Sequence, residues 1–317
     1  MAFYDIFNGD ADGLCALQQL RLGAPHDATL VTGVKRDIEL LRQVQAKTGD
    51  ELTVLDISLD SNRAALLDLL AAGARCTYFD HHFAGDIPAH ANLAAHIRYV
   101  SGTCTSLIVD EYLAGRFRAW AVVGAFGDNL AVEAERAAAP LNLGSAALRQ
   151  LRELGECLNY NAYGDSVDDL HMPPVALFRK LQPFADPLEF VRSDPTFETL
   201  RTGYRNDLAA AEAIAPYLHT ATHYAVILPD VPWGRRMHGP WANRLAEESP
   251  HRAHAVLTQC GNAYRISVRA PIARPKGADT LCRSFPSGGG RPAAAGINDL
   301  PAARLTEFVS RFEAAFG

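Results

Sequence analysis

The sequence has no C-x-x-C pair: its six cysteines, Cys15, Cys76, Cys104, Cys157, Cys260 and Cys282, are scattered along the chain. That pattern excludes a zinc ribbon and a disulfide framework and leaves the thiols as small core residues. No stretch approaches the roughly 18 uninterrupted apolar residues that a membrane span needs. The first residues also lack a basic segment followed by a long apolar one. The expectation is a cytoplasmic protein with no membrane partner. There is no internal repeat and no low-complexity tract beyond alanine-rich patches. An extended basic stripe with interleaved aromatics is missing too, and the net charge is −6, so long nucleic acid is not the expected partner.

What is present is the balance of a soluble globular protein, 48% hydrophobic and 21% charged over 317 residues, long enough for two domains. The charge is unevenly placed. From His223 to Gly317 there are 12 Arg and Lys against 7 Asp and Glu; the preceding residues carry 18 against 29. Acid in the first two thirds suits metal cations, and base in the last third suits an anionic ligand. The same division is equally consistent with two solvated surfaces that merely differ in composition.

Short apolar runs alternate with helical patterns at the start: "FYDIF", Leu14 to Leu22, "ATLVTG", Ile38 to Lys47, "LTVLDIS", Ala64 to Ala72, "RCTYFD". This βαβα rhythm predicts an α/β fold with a parallel sheet flanked by helices and functional groups collected where strands end. "AWAVVGAFG" reads as a further strand ending at Asp128, and the helix before it runs through "SGTCTSLIVDEYLAG", capped by Ser101 or Thr103 and closed by Gly115. Residues 141 to 200 read as mostly helical. An alanine-rich helix from Arg201 to Leu218 links domain 1–200 to a smaller α/β domain, 219–317, with strands at "YAVILP", "HAVLTQC" and "YRISVRA". That second domain has helices from Pro240 to Glu248, near Ala278 to Phe285 and from Ala302 to Ala315, and the glycine run "SGGGR" as a loop.

Acid or histidine stands at each strand end of the first part. Asp10 and Asp12, in "FNGDADG", lie two apart in a glycine-rich turn and can project toward one point, which is metal-site geometry. Each has a plainer role available, Asp12 as a helix N-cap and Asp10 in an Asx turn. Asp56 follows "LTVL", where an aspartate often simply ends a strand. The tripeptide Asp80-His81-His82 is the sharp signal: it offers one imidazole to a metal and one to a substrate, with Asp80 holding a ring nitrogen. Carboxylates mixed with imidazole favour manganese, magnesium or iron over a thiolate-loving metal.

The sequence resembles the DHH phosphoesterase superfamily, and more closely its subgroup with a C-terminal DHHA1 domain. That subgroup includes nanoRNase, 3′-phosphoadenosine 5′-phosphate phosphatase, cyclic-dinucleotide phosphodiesterase and RecJ-type exonuclease enzymes. The resemblance rests on "NGDADG", Asp56, "DHH", Asp128 in "GDN", and "GADTLCRSFPSGGGRPAAAGI". It implies an active site in the cleft between two domains and hydrolysis of a short oligonucleotide, dinucleotide or nucleoside bisphosphate. It implies two Mn2+ or Mg2+ ions bridged by Asp56, with Asp10 on one side, Asp12, His81 and Asp128 on the other, and His82 facing the phosphate. Two departures stand out. Ile6 occupies the place of a metal-binding histidine, which weakens one ion's site and leaves Asn8, through its carbonyl, or water as a substitute; Arg291 replaces the usual histidine of DHHA1. These departures motivate one alternative, a catalytically weakened nucleotide-binding regulator. A second, a RecJ-type single-strand exonuclease, is opposed by Asn8, which stands where the resemblance implies an aspartate in such enzymes, and a homodimer is compatible with the reading.

Gly288, Gly289 and Gly290 can present backbone N–H groups to an anion, and Arg291 adds a bidentate fork, with Arg269 near by. A plain flexible loop would use the same glycines. Trp233, Arg235, Arg236 and His238 read as a solvated loop.

Overall fold

The computed structural model describes all 317 residues and divides them into two compact units, Met1–Gly203 and Tyr204–Gly317. The first begins with β1 (Phe3–Phe7), α1 (Ala11–Gly23), β2 (Thr29–Val31), β3 (Glu51–Leu55), α2 (Leu59–Ala71), β4 (Arg75–Asp80) and β5 (Leu93–Ile97). All five strands are parallel, in the order β2-β1-β3-β4-β5. The chain leaves β1 toward one edge and returns as β3 on its other side. The loops after β1 and β3 therefore diverge, and such a switch point opens a crevice at the carboxyl ends of the strands. Alternation divides the strand side chains between two faces. Ile6, Leu52, Val54, Cys76 and Tyr78 form a buried cluster with Leu66, Leu69 and Leu70 of α2. Asp5 on the other face receives a two-pronged pair of bonds from Arg21 of α1, each 2.8 Å long.

Helices complete this unit: α3 (Thr105–Tyr112), α4 (Arg118–Gly127), α5 (Ala131–Ala138), α6 (Ser145–Asn161), α7 (Pro174–Leu181), α8 (Pro187–Ser193) and the first half of α9 (Pro195–Glu212), whose second half belongs to the other unit. "AWAVVGAFG" is thus α4, not a strand. A continuous apolar run has no period to reveal whether it is a buried strand or a helix sealed on every side, and residues 120–127 of α4 are all buried. Two glycines allow the sealing. A Cβ on Gly124 would stand 2.1 Å from Ser106 Oγ, and one on Gly127 would stand 2.2 Å from Ala11 Cβ. Other boundaries also differ from the sequence reading. Residues 38–47 form only a short 3-10 turn at Leu40–Gln43, β5 is an additional strand, and α9 ends at Glu212.

The second unit carries β6 (Leu218–His219), β7 (His223–Leu228), α10 (Pro232–Glu248), β8 (Ala253–Cys260), β9 (Ala263–Arg269), α11 (Ala278–Arg283), β10 (Gly288–Gly290), β11 (Ala294–Pro301) and α12 (Leu305–Phe316). Its sheet runs β10-β11-β9-β8-β7-β6, antiparallel except for β7 and β8, whose parallel pairing is made possible by the α10 crossover. Pro240 lies inside α10 instead of opening it. Burial of Met237, Trp241 and Ala242 outweighs the local cost of proline, about 3 kcal/mol. Trp233, Arg235, Arg236 and His238 therefore sit on a helix, with Arg236 buried and bonded to Asp207 at 2.8 Å.

The glycine run is a strand as well. Gly288, Gly289 and Gly290 pair with Ile297, Gly296 and Ala295, and a tight turn closes between Arg291 and Ala294. Ladder pairing with β11 overrides the low strand preference of glycine.

His254 of β8 is 1% exposed, with both ring nitrogens shut off from solvent. Burial, and then the charge of Arg252, pull its pKa down to about 4. A base with a depressed folded pKa leaves stability intact above its ordinary value near 6.5 and erodes it as pH falls toward about 4. Denaturant unfolding should therefore show a loss of up to about 3 kcal/mol across that window, and His254→Leu should abolish this component. An identical pH dependence in the two proteins would exclude it.

Candidate metal centre

The site is built where β1, β3 and β4 end. Asn8 extends the β1 ladder by one bond, from its N–H to Leu55 O at 3.1 Å. Its side chain is spent on the backbone, accepting from Asp10 N at 3.2 Å and donating to Lys35 O at 3.2 Å. Asp10 is the N-cap of α1, its Oδ1 accepting from the N–H groups of Asp12 at 3.0 Å and Gly13 at 3.1 Å. Capping thus falls to Asp10, which the sequence reading had assigned an Asx turn as its plainer role. Asp12, in the first turn of the helix, reaches across to α3. Its Oδ2 accepts from Thr105 N and its Oδ1 from Ser106 N, both at 2.7 Å, and Ser106 Oγ also donates to it. That carboxylate does the capping expected of Ser101 or Thr103, since the residue before α3 is Cys104 and gives no side-chain bond.

Asp56 follows β3 with φ +60°, a left-handed backbone that costs an ordinary residue about 1–2 kcal/mol and aspartate less. Its N–H still donates to Phe79 O at 3.0 Å, and its Oδ1 accepts from Thr105 Oγ1 at 3.0 Å. After β4, His82 Nδ1 donates to the buried carboxylate of Asp80 at 2.8 Å, which turns Nε2 away from Asp80. Asp128 caps the carboxyl end of α4. The imidazole of His81 stands at the centre: its Nε2 is 3.4 Å from Asp56 Oδ1, 3.8 Å from Asp128 Oδ2 and 4.0 Å from Asp12 Oδ2.

The charges at this point are badly matched without a cation. Burial, then the carboxylates of Asp12, Asp10, Asp128 and Asp80, push the Asp56 carboxyl far above its ordinary range. Burial also raises Asp128, to about 6, against the opposing pull of Lys35 and His81. His82 is raised: burial works against its charged form, and the bond to Asp80 outweighs burial. Asp10 is the exception. Burial opposes its ionisation, but Lys35 overcomes that and holds the carboxyl below its usual value. Lys35 Nζ lies 2.5 Å from Asp10 Oδ2 and 2.9 Å from Asn159 Oδ1.

The spacing also fits an ion. Donors held about 2.1 Å from one cation stand roughly 3 to 4.2 Å apart, and the three distances from His81 fall in that range. Two three-donor groups share His81, namely Asp12, His81 and Asp128, and Asp56, His81 and His82; oxygens mixed with nitrogen suit manganese or magnesium.

Over 99% of its length the chain superposes on a DHH-domain protein of the s1p family of ribosomal proteins, with 13% identity, 86% of that chain covered and a TM-score of 0.67. It superposes equally far on exonuclease RecJ bound to manganese (17% identity, 89% of that chain, TM-score 0.60). The pGpG-specific phosphodiesterase PggH of Vibrio cholerae is matched over its whole length (13% identity, TM-score 0.59). The chain has the DHH-domain fold. No family model and no curated protein matches the sequence.

In this DHH fold the residues singled out from sequence fall into three groups. Asp12, Asp56, His81 and Asp128 converge, with Asp80 and His82 paired at their edge. Asp10 lies beside them, bonded to Lys35, and Asn8 is tied to backbone. Gly288 to Gly290, Arg291 and Arg269 belong to the second unit, where Arg269 sits opposite Ala294 in the sheet and bonds Asn243 Oδ1 at 2.8 Å. Lys35, Thr105, Ser106 and Asn159 were not legible as site residues. Lys35 had one available signal: like the aspartates, it follows a strand of the parallel sheet.

Proposed function

We propose that this protein is a divalent-metal-dependent hydrolase of the DHH phosphoesterase superfamily, acting on short oligonucleotides, dinucleotides or nucleoside bisphosphates. The observation that carries the reading is the convergence of three carboxylates on His81 Nε2 beside an Asp80-oriented His82. Asp12, Asp56, His81 and Asp128 would hold the ion. A bound divalent cation supplies Lewis acidity and lowers the pKa of water. Asp80 fixes the tautomer of His82 and favours its protonated form, so that Nε2 can donate a proton to the leaving oxygen. Thr105 Oγ1, on Asp56, limits the rotation of that carboxylate.

Substrate size is supported by two features. Phe83, next to His82 in the chain, and Tyr99 are both exposed, edge to face with ring centroids 5.8 Å apart, and their open faces would offer a base a small stacking surface. The chain as a whole is acidic, at −6, which disfavours a long polyanion. Gly288 to Gly290, Arg291 and Arg269 would receive a phosphate remote from the cleaved bond.

The test is product analysis with manganese over a panel of linear dinucleotides, cyclic dinucleotides, a nucleoside bisphosphate and single-stranded DNA. Turnover of at least one short substrate is expected, abolished by chelator, with single-stranded DNA the poorest. Undiminished turnover in chelator would remove the metal-dependent reading. Preference for long single strands would favour the exonuclease alternative.

A further inference from the structure

We infer that Lys35 is a built-in cation occupying the place beside Asp10 where a second metal ion would bind, so that the centre takes one divalent ion and not two. The inference rests on the metal-dependent reading above and sharpens it. Each oxygen of Asp10 already has a partner from the protein. Oδ1 caps α1 through Asp12 N and Gly13 N, and Oδ2 holds the Lys35 ammonium at 2.5 Å. A divalent ion drawn to Asp10 would meet that ammonium on the same carboxylate, and like charges at such range repel strongly in a buried site.

Lys35 is not a surface chain that could swing away freely. Its backbone N–H donates to Ala162 O at 2.8 Å and its carbonyl accepts from Asn8 Nδ2 at 3.2 Å, which fixes where the side chain starts. The far end is held by Asn159 Oδ1 at 2.9 Å and lies 5.6 Å from the centre of the Tyr163 ring. No neutral side chain replaces it. Asn8, the other polar group at hand, has both ends of its amide committed to backbone. Ile6 is fully buried in the apolar cluster beneath α2 and has no donor to give. Away from Asp10 the donors form two groups, Asp12, His81 and Asp128, and Asp56, His81 and His82, which share the single imidazole of His81, and His82 Nδ1 is already committed to Asp80 at 2.8 Å.

The test uses the full chain, stripped with chelator and titrated with manganese chloride by calorimetry, with electron paramagnetic resonance on the loaded protein. One equivalent and a spectrum without spin coupling are expected. Two equivalents with a coupled spectrum would overturn the inference while leaving metal dependence intact. No binding at all would sink the metal-dependent reading itself. Lys35→Ala should admit a second equivalent and produce coupling, whereas Lys35→Arg, which keeps the charge, should stay at one. A folded Lys35→Ala protein that still binds one ion counts against the idea. Should that variant not fold, Asp10→Asn, which preserves the helix cap, should retain the single equivalent, and loss of it would show that Asp10 is a ligand after all.

Discussion

Asp56→Asn should abolish manganese binding and hydrolysis while making the metal-free protein more stable. The two effects share one cause. Asp56 is buried among the carboxylates of Asp12, Asp10, Asp128 and Asp80, so its charge is unfavourable until a cation arrives. An acid whose folded pKa is raised destabilises the folded state progressively as pH climbs from its ordinary value through the raised one. Asparagine removes the charge, keeps an oxygen for Thr105 Oγ1, and tolerates φ +60° at least as well. Relieving a strained functional position of this kind yields roughly 0.5–2 kcal/mol. Metal affinity should fall by more than the ~10–100-fold typical of a lost outer partner, because a direct donor is lost. Calorimetric titration and thermal unfolding in chelator read the two halves separately. A metal-free variant no more stable than the parent would mean that the clustered carboxylates are not in mutual conflict.

Asp12→Ala should be the most destabilising change in the centre. It strips the acceptors from Thr105 N and Ser106 N, both buried at the start of α3, while Ser106 Oγ keeps the main-chain carbonyl of residue 12 at 2.9 Å. Each buried donor left unpaired costs about 1–3 kcal/mol, so a loss of about 3–5 kcal/mol is expected even without metal. Gln19 Nε2 still holds Ser106 O at 3.1 Å and Gly124 still backs Ser106, so α3 has no room to shift and find water. Urea unfolding in chelator is the measurement. A change below about 1 kcal/mol would show that α3 is capped in some other way.

The donors were legible because a parallel sheet delivers everything that follows a strand to one edge, and each of Asp10, Asp12, Asp56 and Asp80 to His82 follows an apolar run. Asp128 was found for a partly mistaken reason, as the end of a strand that proved to be α4. What the sequence could not display were roles set by partners far along the chain. Asp12 looks like a cap for its own helix and serves another; Lys35 looks like a surface residue and is bonded to Asp10. The glycine run looked like a phosphate loop because isolated glycines favour loops, and only its pairing with β11 makes it a strand.

The bonds from Asp12 to Thr105 and Ser106 span 93 and 94 positions of chain. A growing polypeptide has made its first three sets of donors well before α3 and α4 leave the ribosome, and until then Asp12 has neither its cap partners nor Asp128 opposite it. Closing so long a loop is slow compared with forming α1. A divalent ion would find Asp12, His81 and Asp128 together only once α3 and α4 have packed against the earlier part of the chain.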